Sequence, residues 1–87
     1  MAAPRKIKEN FIATVVDDEV VLIDMAGGEL FSLKGTARAI WDMIDGRRSY
    51  AEIADAMAAE YDVAHSEALA DIETLGEELR RAKLLEP

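Results

Sequence analysis

The sequence predicts an α+β domain in which a three-stranded antiparallel sheet is followed by three helices. Two observations carry most of that expectation. Short β-branched and apolar runs come first: Phe11-Ile12-Ala13-Thr14-Val15-Val16, then Val20-Val21-Leu22-Ile23, then Glu29-Leu30-Phe31-Ser32-Leu33. After Lys34-Gly35 the apolar spacing changes from alternation to the i, i+3, i+4, i+7 pattern of a helix face, and it keeps that pattern to the end of the chain. Strands followed by helices, rather than strands alternating with them, favour a small antiparallel sheet covered on one face.

Residues 1–10 are polar and mildly basic through Arg5, Lys6 and Lys8, with no hydrophobic period, and read as a flexible arm; residues 11–87 read as a single domain. Asp17-Asp18-Glu19 separates the first two runs and suits a tight hairpin turn. Gly27-Gly28 supplies the positive φ angles of a second turn, giving an antiparallel meander. Thr36 is placed to cap a first helix whose Ala37, Ile40, Trp41 and Ile44 share one face, with Gly46 at its end. Ser49-Tyr50-Ala51-Glu52 is a capping box, opening a second helix with a buried stripe of Tyr50, Ile53, Ala54, Met57 and Tyr61. The third helix is expected to begin between Ala64 and Glu67 and to run to about Lys83, burying Ala68, Ile72, Leu75, Leu79 and Ala82. Its acidic first turns and its closing Arg80, Arg81 and Lys83 complement the helix dipole.

Composition excludes more than it identifies. The chain has 87 residues, no cysteine and one histidine, so no disulfide framework, thiolate metal site or histidine-pair ligand set is available. There is no nucleophile elbow or phosphate loop, and the many carboxylates read as solvated helix faces. His65 is alone and reads as a surface residue; Trp41, sharing its stripe with Ile40 and Ile44, reads as a core anchor. No catalytic residue, metal or cofactor is expected. The net charge of -8 argues against a duplex nucleic-acid partner; it favours a basic one, although on charge alone solubility of a small domain explains it better. A winged-helix DNA-binding regulator would share the helix order, but only Arg80, Arg81 and Lys83 on an otherwise acidic third helix favour it. The first residues lack an apolar run, so no membrane contact is expected and the cytoplasm is the default location.

The segments GELFSLKGTARAIWDMIDG, RRSYAEIADAMAAEYDV and ADIETLGEELRRAKLL, in this order and spacing, resemble the coenzyme PQQ synthesis protein D (PqqD-like) family. Its members usually read aromatic-x-Leu-Asn, a small residue with Ile-Trp, Asp-Gly, Asp-Val and a terminal Gly-Leu-Leu. The likeness runs from Thr14 to Leu85, with Phe31 where tyrosine is common, Lys34 where asparagine is usual and Lys83 where glycine precedes the leucines. It implies a winged helix-turn-helix-like domain that recognises the leader of ribosomally made, post-translationally modified peptides (RiPPs). The free-standing length and the IWDMIDG and LLE segments look most like the B1 proteins of lasso peptide clusters, which deliver the leader to a separate B2-type peptidase. A PQQ-type or other chaperone serving a radical SAM enzyme is the alternative within the family.

That resemblance places the leader as an added strand along Glu29, Leu30, Phe31, Ser32 and Leu33, with side chains received around Asp71, Ile72, Leu75, Gly76, Glu78 and Leu79. An exposed edge at the third strand would accept such a strand through backbone groups, and Asp71 and Glu78 would meet basic leader residues at the rim. Taken singly, Leu30, Phe31, Leu33, Ile72, Leu75 and Leu79 read equally well as core. Gly76 is unusual, because glycine inside a helix costs about 1 kcal/mol relative to alanine; a pocket for a bulky leader side chain is the expectation there. The same sheet edge offers a route to a homodimer.

Overall fold

The computed structural model describes residues 3–86. Strands β1 (Phe11–Val16), β2 (Glu19–Asp24) and β3 (Leu30–Leu33) form one antiparallel sheet in the order β1-β2-β3. Helices α1 (Thr36–Met43), α2 (Tyr50–Glu60) and α3 (His65–Arg81) follow, so the observed architecture is the α+β order the sequence predicts. β1 has the expected bounds. β2 extends one residue further at each end, and β3 begins at Leu30 rather than Glu29.

Pairing puts Val20, Leu22, Phe31 and Leu33 on the face turned to the helices, where Val20, Leu22 and Leu33 are buried and Phe31 is half-buried. The helices close over that face with Ile40, Trp41 and Ile44, with Ile53, Ala54 and Met57, and with Ala68, Ile72 and Leu79. The predicted stripes therefore all face the core except at Tyr61. Tyr61 is the C-terminal cap of α2 in extended conformation, outside the helix, and is exposed; Ala37, Leu75 and Ala82 are half-buried. Thr36 is the first helical residue of α1, and Gly35, at φ +61°, precedes it without a side-chain cap. The capping box of α2 is present, with Ser49 Oγ accepting from Glu52 N–H and the Glu52 carboxylate from Ser49 N–H.

The turn between β2 and β3 is organised by Asp24, a residue the pattern analysis passed over. Its buried carboxylate accepts from the N–H groups of Ala26 (3.0 Å) and Gly27 (3.3 Å), an Asx turn that offsets the cost of burying it. Only Gly28 of the glycine pair has positive φ.

The segment before β1, predicted as a loose arm, is placed against the other end of the chain; its first two residues lie outside the described ones, as does Pro87 of the domain. Ile7 N–H donates to Leu84 O (2.9 Å), Glu86 N–H to Arg5 O (2.9 Å) and Gly46 N–H to Pro4 O (3.1 Å), and Lys6 pairs with Leu85 in an isolated bridge. Leu84 and Leu85 are buried, so this pairing covers the floor of the core.

α3 ends in a Schellman motif. Leu84 N–H donates to Leu79 O and Lys83 N–H to Arg80 O, both at 2.9 Å, with Lys83 left-handed at φ 64°. A side chain there is strained where glycine is not. Lys83→Gly is expected to raise stability by about 1 kcal/mol, the left-handed strain outweighing the added chain entropy of the unfolded state. Urea unfolding checks this, and an unchanged or lowered midpoint would show that Lys83 is not strained.

Candidate functional site

Asp24 N–H donates to Glu29 O (2.8 Å), which fixes the hydrogen-bonding phase of the β2–β3 ladder. Antiparallel pairing alternates, so Glu29, Phe31 and Leu33 direct their N–H and C=O groups to β2 while those of Leu30 and Ser32 point away from the sheet. β3 is therefore a free edge with two outward donor–acceptor pairs. β1 is the other edge, and the same alternation turns Phe11, Ala13 and Val15 outward there.

The open face of the sheet, opposite the helices, carries an apolar ladder. Ile12, Ile23 and Leu30 lie side by side across the three strands and are 52%, 38% and 61% exposed. Beside Leu30 on this face, Ser32 donates its hydroxyl to the Glu19 carboxylate, tying β3 to the start of β2. A chain added along β3 would turn alternate side chains toward this ladder and toward the helices.

On the helical side, past the end of β3, lies a cleft of about 350 Å³. Its floor is apolar, from Ile40, Met57, Val63 and Ala68; its rim holds Thr36, Tyr61, Asp62, Glu67 and Asp71. Tyr61 stands at this rim because α2 stops one residue before it. From the cleft an exposed stripe continues along α3 through Asp71, Thr74 and Glu78, at helical neighbour spacing. Asp62, Glu67, Asp71 and Glu78 take part in no ion pair among the described residues, whereas Glu77 pairs with Arg80 and Arg81. The stripe therefore presents uncompensated negative charge beside an apolar floor.

The predicted site residues separate into two groups. Leu30, Ser32, Asp71 and Glu78 are exposed at the edge and the stripe, and Glu29 is exposed just before β3. Leu33, Ile72 and Leu79 are buried core, while Phe31 and Leu75 are half-buried against it. The pocket expected at Gly76 is already filled from within. A Cβ built on Gly76 would lie 2.7 Å from Tyr50 Cζ, closer than carbon atoms approach, because the Tyr50 ring at the start of α2 packs directly on the glycine. Burial raises the pKa of the Tyr50 hydroxyl, against the nearby Arg80 guanidinium, which lowers it. The floor and most of the rim of the cleft were not foreseen; the Tyr61-Asp62-Val63 sequence, matching the Asp-Val of the resemblance, was the one signal that pointed there.

Among the described residues no three His, Asp or Glu side chains are grouped to hold a metal, and no helix is long and apolar enough to cross a membrane.

The sequence profile of the family described as coenzyme PQQ synthesis protein D (PqqD) matches residues 19–85. This chain belongs to the PqqD family. Two solved structures resemble this PqqD chain over nearly their whole length. One is TbiB1 in complex with the TbiA(beta) leader peptide, 32% identical, with a TM-score of 0.81 over 93% of this chain and 94% of that one. The other is a lasso peptide synthetase B1 complexed with the leader peptide, 27% identical, with a TM-score of 0.85 over 98% and 99%. No curated protein matches this PqqD chain with significance.

Proposed function

We propose that this PqqD chain is a lasso-type B1 protein: it binds the leader of a RiPP precursor as a fourth strand on β3 and presents it to a separate leader peptidase, with no chemical step of its own. The observation that supports this most directly is the free β3 edge beside an apolar, acid-rimmed cleft, in a chain whose two structural relatives are B1 proteins holding leader peptides. The outward groups of Leu30 and Ser32 offer up to four backbone hydrogen bonds, each worth about 0.5–1.5 kcal/mol net. A leader side chain entering the cleft adds apolar burial, and basic leader residues meet Asp71 and Glu78, which set register more than affinity. Capture raises the effective concentration of the attached core peptide at the processing enzyme. Since precursors are ribosomal products, this work belongs in the cytoplasm.

The test is a fluorescence-polarisation titration with a labelled leader from the neighbouring precursor gene, beside a scrambled leader and a DNA duplex. Saturable binding to the leader alone, with a Kd of about 1 μM or tighter, is expected. Equal binding to the scrambled peptide would remove leader recognition, and binding to the duplex would favour a nucleic-acid role.

A further inference from the structure

A second cleft, of about 580 Å³, lies between the pinned N-terminal segment and the α1–α2 loop. Arg5, Lys6, Lys8 and Arg47 line it, four of the ten basic residues of a chain whose net charge is -8. None of the four makes an ion pair among the described residues. The two carboxylates in the lining are already engaged. Asp42 pairs with Arg38 at 3.7 Å, while Asp45 accepts from the N–H groups of Arg47 (2.9 Å) and Arg48 (3.0 Å) and pairs with the Arg48 guanidinium at 3.9 Å. Those backbone donors hold the Asp45 carboxyl below the usual range, so it stays ionised and occupied.

The backbone of the N-terminal segment and two of the four basic side chains, Arg5 and Lys6, are held in place. The backbone around them is tied at Pro4, Arg5 and Ile7 to Gly46, Glu86 and Leu84. The Arg5 side chain lies over Gly46, a glycine at φ +80°, where an added Cβ would meet Arg5 Nε at 3.5 Å, ordinary contact distance. The Lys6 ammonium sits 4.2 Å from the centroid of the Trp41 ring, half-buried. Burial lowers its pKa; the Asp42 carboxylate, nearby but paired with Arg38 instead, works in the opposite direction. A partly dehydrated cation without a paired anion gains when a carboxylate arrives.

We propose that this cleft is a second docking site, which takes an acidic peptide segment of the processing enzyme while the leader occupies β3. Charge complementarity selects the ligand: spaced carboxylates on an extended chain can reach the four cations and avoid Asp42 and Asp45, which a compact phosphate cannot. A long polyanion such as DNA meets the repulsion of the whole chain. Position separates the two sites. The cleft beside β3 includes Thr36, at the first turn of α1, while the basic cleft includes Asp42 and Ile44, at its last. The eight residues of α1 set them about 12 Å apart along the helix, so both can be filled together. That the partner is the processing enzyme rests on the leader-delivery reading; the acidic-peptide site does not.

The test uses the full chain and labelled hexaglutamate, with the leader and a hexanucleotide of single-stranded DNA as parallel probes. Saturable hexaglutamate binding is expected at about 20 mM salt, weakening about 10-fold by about 200 mM as screening grows. Arg5→Glu with Arg47→Glu, two exposed changes, should weaken hexaglutamate about 10-fold or more while leader affinity stays within about twofold. Lys8→Glu alone should act in the same direction. Absence of saturation at low salt, or binding indifferent to these substitutions, would overturn the proposal, as would DNA binding as tightly with the same sensitivity. Substitution-sensitive hexaglutamate binding without leader binding would keep this site and remove the leader reading instead.

Discussion

Ser32→Pro and Leu30→Pro are each expected to weaken leader binding by about 100-fold while leaving the domain folded, the loss of roughly 3 kcal/mol from a backbone-directed site. The reason is local to the edge. The N–H groups of both residues point away from β2, so proline removes no backbone bond of the sheet, and Ser32→Pro gives up only the exposed side-chain bond to Glu19. It does remove a donor the incoming strand needs, and its ring occupies the space where that strand would lie. Phe31→Pro is different, because that N–H is directed into the β2–β3 ladder, and it should unfold the hairpin. The matched control is Ala13→Pro, which places proline on the other free edge at an equally outward position. Leader binding should survive it. If Ala13→Pro abolishes binding and the β3 variants do not, the leader pairs with β1 and the cleft beside α3 has another use.

Gly76→Ala should destabilise the domain by about 1–3 kcal/mol, although alanine is the better helix former by about 1 kcal/mol. The methyl group would stand 2.7 Å from Tyr50 Cζ, so either the ring leaves its seat or α2 and α3 move apart. Gly76→Leu, with more volume to place, should cost more. The Gly76→Ala/Tyr50→Ala double variant should lose at least about 1 kcal/mol less than the sum of the two single losses, since the two residues touch. Urea unfolding of the two single variants and the double variant measures this. A Gly76→Ala protein more stable than the parent would mean that Tyr50 swings out freely and that the glycine is not needed for its packing.

How far the sequence could be read follows from the range of the interactions involved. The α3 stripe was legible because Ala68, Ile72 and Leu79 repeat at the period of one helix, a property of neighbouring residues. The meander was legible because Asp17-Asp18 and Gly27-Gly28 interrupt runs of β-branched residues. Gly76 misled: a missing side chain marks space, and nothing in the chain says whether a ligand or Tyr50, 26 residues earlier, fills it. Tyr61 was assigned to the α2 stripe because its spacing fits, and it lies outside because the helix stops at Glu60 and the chain turns extended. The pairing of Lys6 with Leu85 has no local signature at all, so both the docked arm and the basic cleft it builds were out of reach.

That pairing also bears on how the protein is made. Leu84 and Leu85 belong to the core, and the segment ahead of β1 is seated in part against residues 84–86. During synthesis the sheet and the first two helices are made early, yet these contacts wait until residues 84–86 have followed them. The segment ahead of β1 is thus made first and fully seated last.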